Sequence, residues 1–358
     1  MRIGIDARLI EETGVGRYIR NLIAELGAID TANEYVVFLR EKSFKIFRLP
    51  NARWQKVLAE VPWHTVTEQL RMPFIFSEAR LDLLHVPYFN VPIFYRGPFV
   101  LTIHDLTILH FDTGKASTLP WILYQFRRWG YRTIVRWGIM HARFLLAVSE
   151  ATKREILDHF PVSETKITVT HEGVDKKIAK PARTPPFKVP YFLYVGNAYP
   201  HKNVEGLLAA FEKVPGTAPL VLVGKDDFFY KRLRTVVAGM KKKRSVIFFG
   251  PANDRELATL YAHARALVFP SFMEGFGLPA LEALAAGTPV ICSDIPVFHE
   301  VLGDAATYVD PRDADDIARA LVRALEYKKP GNKAVPGKYD WRVMAEKTLT
   351  IYEGSARL

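Results

Sequence analysis

Short apolar runs alternate with helix-length segments along most of this chain, and that alternation constrains its fold more than any other feature. In the first half we predict strands at 2–6, 35–39, 82–86, 99–103, 143–148 and 167–170, with a turn at 13–16 and a helix at 17–27. Strands of this kind, separated by helices, favour parallel sheets that are covered by helices on their faces.

A proline-rich stretch at 180–190 interrupts the alternation, which then restarts. The second series predicts strands at 191–195, 219–223, 245–249, 266–269 and 288–292, and helices at 203–213, 227–240, 254–263, 279–286, 313–327 and 340–353. A chain of 358 residues suits about two domains. We therefore predict an α/β protein with a first domain at 1–178, a linker at 179–190, a second domain at 191–340, and a C-terminal helix at 341–358 that packs back on the first domain.

Charge and composition narrow the class of partner. The formal net charge of +11 favours acidic partners, namely nucleic acid, an anionic membrane surface or phosphorylated substrates. No apolar run approaches the ~20 residues that span a bilayer, and we interpret residues 1–6 as a strand, not a signal peptide. The single cysteine, Cys292, excludes an internal disulfide and fits a reducing cytoplasm; we interpret it as a small buried apolar residue.

The loop at 270–282 carries the strongest functional signal. Gly275 and Gly277 precede a helix that we expect to open at Pro279, and Glu274 and Glu282 lie on either side of the junction. A helix N-terminus offers unpaired N–H groups to an anion, and glycine lets a ligand approach the backbone closely. Two acids that flank an anion site suit a nucleotide sugar, because that molecule has a hydroxylated ring on each side of its diphosphate.

Three other segments carry polar residues or glycines at or after the end of a predicted strand. Gly196-Asn197-Ala198-Tyr199-Pro200-His201-Lys202-Asn203 follows a strand, Gly14-Val15-Gly16-Arg17 follows the first strand, and His104-Asp105 ends the strand at 99–103. With Glu274, Glu282 and the glycines between them, these segments make the chain resemble the retaining glycosyltransferases of family 4, also called glycosyltransferase group 1, in their mannosyltransferase-like subgroup. That resemblance implies a GT-B fold, in which two Rossmann-like domains with parallel sheets face each other across a cleft.

The resemblance also implies roles for individual residues. Glu274 would approach the donor sugar and Glu282 the ribose, while His104 would face the transferred sugar, so that His104 and Glu274 are the catalytic candidates. Asp105 would orient the loop. The remaining donor-binding candidates, grouped around the phosphates, are Gly14, Gly16, Gly196, Lys202, Gly275, Phe276, Gly277 and Leu278. The chain departs from the family at Asn197 and His201, where relatives carry an arginine.

The implied reaction is hexosyl transfer with retention, by front-face attack and without a metal or another cofactor. Lys202 and the helix dipole would hold the diphosphate in place of a divalent ion. Mannose from GDP-mannose is the leading donor, and a UDP- or dTDP-sugar is the alternative. A saccharide or a polyprenyl-diphosphate-linked saccharide is the expected acceptor, in surface polysaccharide or lipopolysaccharide assembly.

A basic, aromatic segment leaves two interpretations open. Between Thr113 and Ser149 there is no acidic residue, and Arg128, Arg132 and Arg136 repeat at helical spacing after Pro120. This helix either rests on anionic lipid, with Trp121, Trp129 and Trp137 interleaved, or is an ordinary surface helix with a buried tryptophan face. The first interpretation predicts a cytoplasmic enzyme that is peripheral on the inner face of the membrane.

Other classes of protein fit the sequence less well. A dinucleotide-dependent oxidoreductase would need a third glycine where this chain has Ile19. A nucleic-acid-binding protein would explain the charge, but the cluster at 241–244 is accompanied by no reading motif, and we expect no nucleic-acid partner. A relative that only binds partners is disfavoured because Glu274 and Glu282 are both present.

Overall fold

The chain forms two compact units, each built on one sheet. The computed structural model describes residues 1–111, 121–175, 178, 181–326 and 339–356. The first unit contains residues 1–109, 121–173 and 339–356, and the second contains 110–111 and the described residues between 174 and 326. The chain thus changes units after Gly173, whereas the sequence placed the boundary at 178.

The first unit carries a parallel sheet in the order β3-β2-β1-β4-β5-β6-β7. Its strands are β1 (Arg2–Asp6), β2 (Glu34–Leu39), β3 (Trp54–Leu58), β4 (Leu83–Val86), β5 (Phe99–Ile103), β6 (Phe144–Ala147) and β7 (Ile167–Val169). The helices are α1 (Gly14–Ile29), α2 (Glu41–Ile46), α3 (Val66–Glu78), α5 (Trp121–His141), α6 (Glu150–His159) and, at the C-terminus, α13 (Trp341–Ala356), together with α4 (Thr107–His110), whose last residue belongs to the second unit. Every residue of β4 and β5 is buried, as expected for central strands covered on both faces.

The second unit carries a parallel sheet in the order β10-β9-β8-β11-β12-β13. Its strands are β8 (Phe192–Val195), β9 (Leu220–Val223), β10 (Val246–Gly250), β11 (Ala266–Phe269), β12 (Val290–Ser293) and β13 (Ala306–Val309). The helices are α7 (Val204–Lys213), α8 (Phe228–Ala238), α9 (Asp254–His263), α10 (Leu278–Ala285), α11 (Pro296–Leu302) and α12 (Ala314–Glu326). Cys292 is buried in β12, as predicted.

These two sheets confirm the predicted α/β class with two Rossmann-like halves. In each sheet the strand order reverses beside the first strand, between β1 and β4 in one unit and between β8 and β11 in the other. Ligands of open parallel sheets bind beyond the carboxyl ends of the strands at such a switch point. The loops after β1, β4, β8 and β11 are therefore the places where the fold favours a site.

Several local predictions need correction. The predicted turn at 13–16 is wrong, because α1 already begins at Gly14 and the Arg17 N–H donates to the Thr13 carbonyl at 3.0 Å. The sequence also missed the strands β3 and β13 and the helices α2, α3, α4, α6 and α11. Strands β3 and β13 are short edge strands with partly exposed residues, so their apolar pattern is weak.

The C-terminal helix α13 belongs to the first unit. Trp341 lies edge-on to Tyr18 of α1 at 6.4 Å between ring centroids, and the Lys347 ammonium donates to the Val169 carbonyl at 3.3 Å. In the second unit, the Ala182 N–H donates to the Thr259 hydroxyl on α9 at 3.0 Å, so this part of the predicted linker is attached to that unit. Among the described residues, no helix combines the length and apolar character needed to cross a membrane.

Candidate active site

Two loops at the switch point of the second sheet are tied together. The loop after β8 and the loop after β11 are joined where the Phe272 N–H donates to the His201 carbonyl at 2.8 Å. Asn203, which has the left-handed φ of +54°, donates from Nδ2 to the Pro270 carbonyl at 3.2 Å and to the Pro311 carbonyl at 2.6 Å. These bonds fix the position of one loop relative to the other.

Lys202 and Glu274, the strongest charged candidates, form an ion pair across these loops. The Lys202 ammonium donates to both carboxylate oxygens of Glu274, at 2.8 and 2.7 Å, and the Ser271 hydroxyl donates to the same carboxylate at 2.7 Å. The side chains are only 16% and 8% exposed. The sequence assigned Lys202 to the diphosphate and Glu274 to the sugar, and the structure brings the two together.

The N-terminus of α10 adjoins this pair. Gly277 precedes the helix at a φ of +90°, a conformation that favours glycine, and a Cβ there would lie 2.6 Å from the Phe298 ring. Among the described residues no side chain caps the helix. Pro279 has no N–H, and the Ala280 N–H donates to the Gly277 carbonyl at 2.9 Å. The Leu278 N–H is therefore the backbone donor that the helix start can offer to an anion. Phe276 and Leu278 are buried, and their side chains fix the loop while only their backbone can meet a ligand.

Glu282 lies one turn further along α10 and is buried. Its Oε2 accepts a hydrogen bond from the Tyr261 hydroxyl of α9 at 3.0 Å. This contact joins the predicted ribose acid on α10 to α9. The helix thus carries an acid beyond the anion site, on a rigid element.

Gly196, a predicted donor-binding residue, is held by hydrogen bonds within the protein. Its φ is +152°, its N–H donates to the Val223 carbonyl at 2.9 Å, and its carbonyl accepts from the Tyr230 hydroxyl at 2.8 Å. Both backbone groups are engaged within the protein. Gly196 therefore shapes the loop, while Lys202 carries its positive charge.

His104, the catalytic candidate of the first unit, follows β5 and is held on both ring nitrogens. Nε2 lies 3.1 Å from the Pro87 carbonyl, and Nδ1 lies 3.1 Å from Oε1 of Glu172. Because a carbonyl can only accept, the contact with Pro87 places a hydrogen on Nε2. The ring also contacts Tyr18 edge-on at 4.9 Å. Sequence reasoning missed Glu172 as the partner of His104.

A buried polar chain lies beside this histidine. His85 is within 2.5 Å of the Tyr352 hydroxyl and 2.8 Å of the Thr102 hydroxyl, which in turn is 3.1 Å from the Tyr18 hydroxyl. Burial, together with the nearby charge of His104, lowers the pKa of His85 to about 3, so the ring stays neutral. Asp105 accepts from the Thr107 N–H at 2.8 Å and orients the loop, as predicted.

Gly14 and Gly16 open α1 in the same unit. A Cβ at Gly16 would lie 2.6 Å from the Ile10 carbonyl, so the close approach of the β1–α1 loop requires glycine there. A Cβ at Gly14 would meet no atom within 4 Å. Packing thus explains why residue 16 must be glycine, whereas packing places no such requirement on residue 14.

Comparison with known proteins places this geometry in a family. The profile of Glycosyltransferase Family 4 matches residues 13–177, and that of Glycosyl transferases group 1 matches residues 175–340. The O-antigen chain mannosyltransferase RfbU of Salmonella typhimurium is 28% identical over 81% of this chain and 79% of its own. The O-antigen chain mannosyltransferase B of Escherichia coli is 27% identical over 95% and 96%.

A solved structure agrees on the fold. The sucrose-phosphate synthase of Thermosynechococcus elongatus superposes with a TM-score of 0.80 at 19% identity, covering 99% of this chain and 98% of that one. The two profiles together extend from residue 13 to residue 340 and include the ion pair, α10 and His104. The chain therefore belongs to the group 1, family 4 glycosyltransferases, with the GT-B fold.

Proposed function

We propose that this glycosyltransferase moves a hexose, with mannose from GDP-mannose as the leading donor, onto a saccharide or a polyprenyl-diphosphate-linked saccharide in surface polysaccharide or lipopolysaccharide assembly. The names of the two O-antigen mannosyltransferases support the sugar and the pathway class. The observation that carries the proposal is the buried Lys202–Glu274 pair beside the uncapped N-terminus of α10. This arrangement offers an acid for a sugar and positive charge for a diphosphate within one pair of loops.

The pair suggests how the donor is engaged. A diphosphate at the N-terminus of α10 competes for the Lys202 ammonium, and each hydrogen bond that Lys202 gives to phosphate releases an oxygen of Glu274 toward the sugar hydroxyls. Lys202 and the α10 backbone then stabilise the charge that develops on the leaving diphosphate. One such donor is typically worth ~3–4 kcal/mol in the transition state.

Transfer proceeds with retention in this proposal. The acceptor hydroxyl attacks the anomeric carbon on the face from which the diphosphate departs, so the new C–O bond forms as the old one breaks. The leaving phosphate oxygen takes the hydroxyl proton. His104, held by Glu172 and Pro87, faces the transferred sugar. Lys202 and the helix dipole supply the electrostatic role of a divalent ion, so we propose that no metal is needed.

A donor screen tests the proposal. Nucleotide release is measured with GDP-mannose and with UDP-, dTDP- and ADP-sugars, and we expect saturable release with GDP-mannose. Glu274→Ala should abolish transfer while nucleotide binding stays measurable, and Lys213→Ala is a matched surface control that should keep full activity. Full activity of Glu274→Ala, or stabilisation by NAD(P) or DNA and by no sugar nucleotide, would overturn the proposed function.

A membrane surface is the second partner that we propose, on the basis of α5 and α3. Arg132 and Arg136 are exposed on α5, and Trp129, one turn before Arg132, is 69% exposed, whereas Trp137 stacks on Phe99 with ring centroids 5.7 Å apart. The alternative of a wholly buried tryptophan face is therefore wrong for Trp129. Pro120 lies outside the described residues, as does part of the predicted basic segment.

Helix α3 adds an apolar stripe in the same unit. Val66, Leu70 and Phe74 repeat at helical spacing and are 76%, 52% and 73% exposed. Arg71, on the same helix, is exposed beside them. Large apolar side chains next to arginines fit the interface of an anionic bilayer, and this would place the enzyme on the inner face of the cell membrane.

Vesicle flotation tests the membrane proposal. The protein should float with vesicles of equal phosphatidylglycerol and phosphatidylcholine, and less with phosphatidylcholine alone. Trp129→Ser and Phe74→Ser should each weaken flotation, while Phe228→Ser, which removes a 54% exposed ring from the second unit, should not. Equal recovery of all the variants, or no flotation of the wild type, would refute it.

A further inference from the structure

A narrow recess lies at the switch point of the first sheet. It is bounded by Asp6 and Arg8 after β1, by Asn90 after β4, and by Trp63 and His64 before α3. The space available to the centre of a water molecule is about 10 Å³, which is enough for about one water or one hydroxyl group. The recess occupies, in this unit, the place that the ion pair and α10 occupy in the other.

The floor of the recess is a fixed, buried charge network. The Arg8 guanidinium donates to both oxygens of Asp6, at 2.8 and 2.7 Å, and to Oε1 of Glu68 at 2.7 Å. Oε2 of Glu68 accepts from the backbone N–H of His64 at 2.8 Å and from Nδ2 of Asn90. With two carboxylates to one guanidinium, this floor repels anions.

Two polar atoms at the recess have no hydrogen-bond partner among the described residues. They are Oδ1 of Asn90, whose side chain is almost wholly buried, and the indole N–H of Trp63. One can only accept and the other can only donate. His64, which also lines the recess, has the left-handed φ of +57°, an uncommon conformation for a residue with a side chain. Unsatisfied buried groups and local backbone strain often mark ligand sites.

We propose that this recess binds one hydroxyl group of the acceptor saccharide and thereby helps to select the acceptor. A hydroxyl is the small group that both donates, here to Asn90, and accepts, here from Trp63. Pro87 lines the recess, and its carbonyl accepts from His104, so the bound sugar lies next to the catalytic candidate. This inference rests on the proposed glycosyl transfer and adds a subsite to it.

Trp63→Phe tests the recess because it deletes the N–H and keeps an aromatic ring. Trp54→Phe is the matched control, since its indole N–H also has no partner among the described residues but lies on β3, outside the recess. The acceptor probes are methyl α-D-mannopyranoside, methyl α-D-glucopyranoside and their monodeoxy analogues. For one hydroxyl position, we expect the wild type to prefer the parent sugar by at least about tenfold in kcat/KM.

In Trp63→Phe this preference should fall about three- to tenfold, while donor KM and donor hydrolysis in the absence of acceptor stay at wild-type values. Asn90→Ala should lower the preference for the same hydroxyl, and Trp54→Phe should leave it unchanged. An unchanged preference in Trp63→Phe and Asn90→Ala, or a wild type that uses none of the probes, would overturn the proposal that the recess binds an acceptor hydroxyl. Failure of the wild type to release nucleotide from any sugar nucleotide would instead refute the proposed function.

Discussion

Replacing Lys202 with methionine should destabilise the second unit, and replacing Glu274 at the same time should restore most of the loss. Removing one partner of a buried pair typically costs ~3–5 kcal/mol, because the other charge stays buried without compensation. Lys202 is 16% exposed and Glu274 is 8% exposed. Since water reaches both side chains, we take the lower end, about 3 kcal/mol. In Lys202→Met the Ser271 hydroxyl bond is the one side-chain hydrogen bond from the described residues that the Glu274 carboxylate keeps.

The double variant Lys202→Met/Glu274→Gln removes both charges, so we expect it to lie within about 1 kcal/mol of the wild type. Urea unfolding followed by circular dichroism measures this, and 3 kcal/mol corresponds to a midpoint shift of about 1 M for a slope near 3 kcal/mol per M. The six tryptophans all belong to the first unit, so their fluorescence does not report directly on this change. A double variant no more stable than the single one would refute the reasoning. Both variants should lose transfer.

Two further predictions concern the stability of the first unit, and a third concerns the requirement for a metal ion. The pKa of His85 is lowered from 6.5 to about 3, so between these pH values the unfolded chain binds a proton that the folded chain does not. The contribution of His85 to the free energy of unfolding is complete above pH 6.5 and should fall as the pH drops toward 3, by up to about 1.4 kcal/mol per pH unit. Unfolding followed by tryptophan fluorescence should show this slope, and a His85→Gln variant with the same slope would contradict it. Gly16→Ala should cost ~1–3 kcal/mol because its Cβ meets the Ile10 carbonyl, while Gly14→Ala stays within about 0.5 kcal/mol; equal urea midpoints would disprove the packing argument. Finally, EDTA should leave nucleotide release unchanged, and loss of activity that Mg²⁺ or Mn²⁺ restores would show that a metal is required.

The sequence-based predictions that the structure confirms depend on patterns of neighbouring residues. Strands such as β9 are continuous apolar runs, and a run of this kind can be recognised without knowledge of its neighbours. The same holds for the loop that ends at Gly277, because a glycine before a helix start is a feature of adjacent residues. The edge strands β3 and β13 were not predicted, because partly exposed strands lack a continuous run of apolar residues.

The sequence by itself therefore determined the two parallel sheets, their family and the residues at the carboxyl ends of the strands. Only the tertiary structure decided which of those residues meet. Lys202 pairs with Glu274, His104 with Glu172, and Arg8 with Glu68, each across many intervening residues. The physical reason is that sheet order and helix packing, not distance along the chain, decide these meetings: β8 and β11 end side by side, Glu172 reaches His104 from the loop after β7, and Glu68 reaches Arg8 from α3. Periodicity specifies a strand, whereas the neighbour of that strand depends on the packing of the whole domain.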